Sequence, residues 1–226
     1  MRDASLFGAT AWYADPDIVK AMTVEIRRTY TLLMLRHPDI EIYFLDISNP
    51  LQPLEDLYQF SGTSEGGTEL RPQRVVFTAQ LPWRGKLNDV EIEIVLGCRT
   101  TTGMGQDEDN WGIDLYGNDR LFGHHDQENF LKWFTLIRGQ SVRLLRGFVN
   151  IRGPNIFIPW DTHKRHLNAE REIVTQILQK DPRIREFFRQ WNQTYQEISH
   201  LGKGEVSKAI RTKLSPWKSE KENDLN

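Results

Sequence analysis

The residues with the most chemistry to offer lie in one stretch, Arg146 to Asn168, which reads RGFVNIRGPNIFIPWDTHKRHLN. Within it, Asp161-Thr162-His163-Lys164-Arg165-His166 gathers a hydroxyl, two cations and two imidazoles. Such a set suits an anion with several oxygens. Lysine is a compact point charge on a long stem, arginine is a planar fork, and threonine adds a neutral donor. Phosphate is the natural ligand class, with Thr162, Lys164 and Arg165 as its contacts. An ordinary solvated loop at the end of a strand would carry the same residues, so the surrounding elements matter. Phe148-Val149-Asn150-Ile151 alternates like a strand with one buried face. Gly153-Pro154-Asn155 marks a turn, and a second apolar run, Ile156-Phe157-Ile158, is stopped by Pro159. Asn168 is placed to N-cap a helix.

The charge around this stretch is uneven. The chain has 226 residues, with 29 basic and 31 acidic side chains and a formal charge of −2, so its overall balance favours neither nucleic acid nor membrane. From Thr102 to Phe130 there are seven acids against Arg120. From Leu131 to His166 there are seven bases (Lys132, Arg138, Arg143, Arg146, Arg152, Lys164, Arg165) against Asp161, a net +6. A local field of that kind can steer an anion. The same bases give a second reading, in which Lys132, Arg138, Arg143, Arg146 and Arg152 contact nucleic acid, with Trp133 and Trp160 available to stack on bases.

Other chemistries find less support. His163 and His166 are three apart and His124-His125 are adjacent, yet the sequence offers no cysteine or carboxylate cluster to complete a metal set, and no metal is expected. Asp107-Glu108-Asp109 lacks the alternating spacing of a calcium loop. Gly103-Met104-Gly105 lies among acids, a poor cradle for phosphate. No serine or cysteine sits in a recognisable nucleophile context. Cys98 is the only cysteine, so no internal disulfide forms and the expected compartment is the cytoplasm. The opening MRDASLFGATAWYADP lacks a signal-peptide core, and no run approaches the length of a membrane span.

The elements can be read in order. Residues 1–15 form an arm. Asp15 caps a helix with Pro16 as its first residue, and apolar residues from Ile18 to Met34 recur at helical spacing until His37-Pro38. Ile40 to Leu45 reads as a strand, followed by a long loop with a Gly/Ser-rich tip at Ser61 to Gly67. Arg74–Gln80 and Asp89–Leu96 form a hairpin joined by Pro82 to Asn88. Alternation of Val90, Ile92 and Ile94 with Glu91 and Glu93 leaves one face wet. Trp111–Tyr116 is another strand, and Asn118 and Arg120 lie in the turn after it. Asn129–Gly139 is a short helix or an ordered loop. After Asn168 come a short helical stripe and a second helix from Asp181-Pro182. The face Ile184, Phe187, Phe188, Trp191, Tyr195 and Ile198 must pack on the sheet or on another chain. The expected fold is α+β: a two-layer sandwich of a mostly antiparallel or mixed sheet with helices on one face, spanning 16–167. A helical segment over 168–213 and a polar tail over 214–226 follow.

Three segments, EIRRTYTLLM with IEIYFLD, then WGIDLYGNDRLF, then RGFVNI with IPWDTHK, carry a family resemblance through their order. The chain resembles the transducer domain of the GHKL ATPases (gyrase B, MutL, MORC and the heat-shock chaperone of that group), most of all prokaryotic MORC-like ATP-binding proteins. The likeness covers about residues 15 to 180. It implies the fold of the second domain of ribosomal protein five. It also implies a loop that sends one lysine to the γ-phosphate of ATP held in a separate domain. Lys164 matches that lysine, Asp161 and Thr162 shape the loop, and Gly147 and Pro159 bracket the strand pair. The family's ATP pocket, with its magnesium-binding Asn, adenine-binding Asp and glycine-rich lid, is not in this sequence. The chain alone is therefore expected to be no enzyme and to hold no cofactor. ATP and Mg2+ enter only with a GHKL ATP-binding domain, on the same or a separate chain. DNA and a second copy of the chain, docked through the Ile184–Ile198 face, are the other partners considered.

Overall fold

In the computed structural model of the chain, the residues described are 13, 15–54, 62–63, 69–70, 72–98, 112–127, 145–161, 163, 167–168 and 173–200. They divide between two compact units, one holding residues 1–57 with 119–121, the other 58–118 with 122–226.

In the first unit, helix α1 runs Pro16–Arg36. It starts where the sequence places it, because the Asp15 carboxylate accepts from the Asp17 N–H at 2.9 Å and Pro16 needs no partner for its nitrogen. It ends at His37, whose N–H donates to the Leu33 carbonyl at 2.9 Å. The chain then returns along α1. Thr31 Oγ1 accepts from the Leu54 N–H at 3.0 Å, and Arg27 Nε donates to the Gln52 carbonyl at 2.7 Å. The strand expected over Ile40 to Leu45 does not form. Residues 40–43 are irregular, and only a single bridge links Phe44 and Asp46. Alternation alone cannot make a strand without a neighbouring ladder to pair with. Asp119, in the same unit, takes Arg36 at 2.5 Å and His37 at 3.5 Å.

The second unit is built on strands. A two-residue pair, β1 (Gly62–Thr63) and β2 (Glu69–Leu70), precedes the main sheet. That sheet contains β3 (Gln73–Trp83), β4 (Lys86–Cys98), β5 (Gly112–Gly117), β6 (Arg120–Asp126, whose first two residues count with the first unit) and β7 (Leu145–Arg152), in spatial order β3-β4-β7-β5-β6. β3 and β4 are antiparallel, β4 and β7 are antiparallel, and β5 runs parallel to β7. The hairpin β3–β4 is tighter than the expected seven-residue connection from Pro82 to Asn88. Trp83 pairs with Lys86, and Arg84 and Gly85 turn the chain with φ of 51° and 74°. The β5–β6 turn uses the same left-handed device at Asn118 and Asp119, with φ of 49° and 65°. This bears out the turn expected at Asn118, while Arg120, expected in the same turn, is already the first residue of β6.

One sheet face packs into the hydrophobic core. Phe77, Ala79 and Leu81 from β3, Val90, Ile92, Ile94 and Leu96 from β4, Ile113 and Leu115 from β5, and Val149 and Ile151 from β7 line it. A π-helical turn, Ile173–Leu178, and helix α2, Pro182–His200, share that core. Ile184, Phe187, Phe188 and Trp191 are buried there, so on the described part of α2 the aromatic face packs within its own chain. Each such side chain contributes roughly 1.5–3 kcal/mol by leaving water. The fold is thus an α+β sheet-and-helix sandwich, as expected. Among the described residues no helix is long and apolar enough to cross a membrane.

The opposite face is not the wet surface that the alternation implied. Glu93 is 2% exposed, held by Arg74 Nε at 2.6 Å, and Tyr116, Phe148, Asn150 and Asp114 are buried on the same side. A charge survives burial when its partner is built in, and Arg74 supplies it for Glu93.

Candidate functional site

Chemistry is offered by the segment after β7 and, among the described residues, by a polar cluster on the sheet's second face. The segment is reached from the end of β7. Gly147 sits where a Cβ would collide with the Val95 carbonyl, so only glycine lets β7 approach β4 this closely. At the far end, the Asn118 side chain holds Gly153, the residue that follows β7. Its Nδ2 donates to the Gly153 carbonyl at 3.0 Å, and its Oδ1 accepts from the Gly153 N–H at 2.9 Å.

Ile156-Phe157-Ile158 is a turn and not a second strand. The Phe157 N–H donates to the Pro154 carbonyl at 2.9 Å. Its apolar side chains still serve as an anchor. Phe157 and Ile158 are buried, and Trp160 packs edge-on to Phe122 with ring centroids 6.2 Å apart. Trp160 then pairs with Leu167, and the Asn168 N–H donates to the Pro159 carbonyl at 2.7 Å. Trp160 and Leu167, the residues on either side of 161–166, therefore stand next to one another. Asp161 is half-buried and His163 is exposed. Thr162, Lys164 and Arg165 lie outside the described residues, as do Lys132, Arg138 and Arg143. So does the first turn of the helix expected after Asn168.

Arg146 and Arg152 are placed, and both charges are engaged. Arg152 pairs with Glu91 across the β4–β7 ladder. Arg146 lies on β7 two residues before Phe148, which stands opposite Asp114 in the parallel pairing, so Arg146 and Asp114 share a face. The Arg146 guanidinium approaches Asp114 Oδ2 at 3.3 Å and Oδ1 at 3.5 Å. Fewer charges are left for a nucleic-acid backbone than the +6 count implies.

Asp114 is the centre of the second site. It is fully buried, and its Oδ1 also accepts from the His125 N–H at 2.8 Å and meets His124 Nδ1 at 3.0 Å. Burial is the largest single influence on this carboxyl and pushes its pKa up. The His124 hydrogen bond, the charges of Arg146 and His124, and the His125 N–H together outweigh it and hold the carboxyl below its ordinary range. An ionised carboxylate only accepts, so His124 Nδ1–H is the donor. The two imidazoles stack at 3.6 Å. His125 has a φ of 49°, the left-handed region that few residues other than glycine enter. Gly112 makes room for it, since a Cβ there would lie 2.9 Å from the His125 carbonyl carbon.

The expectation that no carboxylate accompanies His124-His125 is corrected here. Asp114 reaches them from the neighbouring strand, ten residues earlier in sequence. The signal was a lone acid inside the apolar strand Gly-Ile-Asp-Leu-Tyr-Gly, followed one strand later by the histidine pair. No family model matches this chain, and no curated protein matches it.

Proposed function

We propose that this chain is a non-catalytic transducer module of a GHKL-type ATPase, reporting the γ-phosphate of ATP bound in a separate domain through Lys164. One observation carries the reading. The residues flanking 161–166 are held together by the Trp160–Leu167 pairing and the Asn168–Pro159 hydrogen bond, and Phe157, Ile158 and Trp160 root them in the core. A cationic segment whose two ends are anchored in the core suits a phosphate contact made across a domain boundary, because the anchor is in place before the domains close. The sheet-and-helix sandwich is in keeping with such a module.

The chemistry follows from that placement. A departing γ-phosphoryl group gathers charge on its oxygens, and a lysine from another domain offsets it only in the closed state. Nucleotide binding and domain closure then become one equilibrium. The test is Lys164→Ala in the complete or reconstituted ATPase. ATP turnover is expected to fall by roughly 10²-fold while nucleotide binding is retained. Turnover equal to wild type overturns the assignment.

A further inference from the structure

We propose that Asp114, His124 and His125 form a three-ligand site for a borderline divalent transition metal of the zinc type, with a fourth position open to water. One ligand atom from each residue lies within 4.8 Å of the others. His124 Nδ1 and Asp114 Oδ1 are 3.0 Å apart, near the roughly 3.3 Å that two ligands on one tetrahedral zinc would show; metal binding takes the place of their hydrogen bond and moves the imidazole proton from Nδ1 to Nε2. One carboxylate oxygen and two imidazoles suit zinc, cobalt or nickel better than magnesium or calcium, which prefer all-oxygen shells.

The backbone brings the two imidazoles together. In a regular strand, adjacent side chains point to opposite faces. The left-handed residue at His125 interrupts that alternation and leaves both rings on the side of Asp114, stacked at 3.6 Å, from which they splay apart to share one ion. The surroundings fit as well. Arg146 approaches Oδ2 more closely than Oδ1 and orients the carboxylate, as groups behind metal ligands commonly do. Its positive charge opposes a dication, so the site binds more weakly than a structural zinc site and exchanges its metal. The His124 side chain is 34% exposed, which gives the ion a way in and the fourth position a water. This inference is independent of the role given to Lys164.

The primary test uses the unmodified chain. Cobalt(II) added to isotopically labelled protein is expected to bleach amide signals around Asp114 and from Gly123 to Asp126. Bleaching centred on His163 to His166, or none, overturns the site. Zinc affinity measured against a chromogenic chelator is the second test. One equivalent should bind to wild type and equally to the His163→Ala/His166→Ala double variant. His124→Ala should weaken binding at least about tenfold. Equal affinity in His124→Ala, confirmed folded by circular dichroism, also overturns the site.

Discussion

Removing the charge of Asp114 tests the account of the buried cluster most directly. Asp114→Asn keeps the shape and one carbonyl oxygen, so the His125 N–H at 2.8 Å retains an acceptor and no cavity opens. What is lost is the anion facing Arg146, whose side chain is only 13% exposed and cannot simply turn to water. Leaving one charge of a buried pair without its partner costs about 3–5 kcal/mol, and the retained hydrogen bond places Asp114→Asn near ~3 kcal/mol. Arg146→Met makes the complementary fault and should cost a similar amount. The double variant removes both charges. Its cost should fall short of the sum of the singles by at least about 1.5 kcal/mol, the mark of two groups that act as a pair. Equilibrium urea unfolding followed by tryptophan fluorescence reads the difference. With an m value near 2 kcal/mol per M, ~3 kcal/mol moves the midpoint by ~1.5 M. A shift of Asp114→Asn below about 0.5 M, or costs that simply add in the double variant, would refute the coupling.

The same carboxylate sets an acid limit. Its folded pKa lies below the unfolded value, so its stabilisation is complete above the unfolded value and disappears as pH falls through the folded one. Wild type should lose stability below about pH 4 more steeply than Asp114→Asn, and unfolding midpoints measured across that range check it. Asn118 should be intolerant for two separable reasons. Asn118→Ala loses both bonds to Gly153 and forces alanine to a φ of 49°, a cost of about 2–3 kcal/mol. Asn118→Gly restores the backbone freedom and should recover roughly 1 kcal/mol of it; equal losses would show that the turn conformation is not at issue.

Much of the fold was legible because its signals are local. Asp15-Pro16 and Asp181-Pro182 start helices by capping chemistry that needs no distant partner, and both helices begin where these pairs place them. The hairpin strands could likewise be read from their alternation. Ile40 to Leu45 carries an equally good strand pattern but has no ladder beside it among the described residues, and pairing is a property of the whole sheet. The cationic segment 161–166 was found from its residue types, yet the pairing of the residues that flank it was not, since Trp160 and Leu167 meet only after the anchor packs. The buried cluster was hidden for a related reason. Asp114 and Arg146 are 32 residues apart and meet through parallel pairing of β5 with β7, which no short-range pattern announces. Glu93 looked solvated because its partner Arg74 lies across the hairpin.

The position of β7 has a consequence for how the chain reaches this state. β3–β4 and β5–β6 are hairpins that can close soon after synthesis, whereas β7, which lies between them, comes last in sequence among the described strands of the sheet. Until it arrives, β4 and β5 each expose a bare edge, and the two halves of the sheet have nothing to join them. Insertion of that strand is therefore the step that turns two separate hairpins into one sheet. Folding should be slow for the chain's size, and a nascent chain stalled before residue 145 should be prone to self-association.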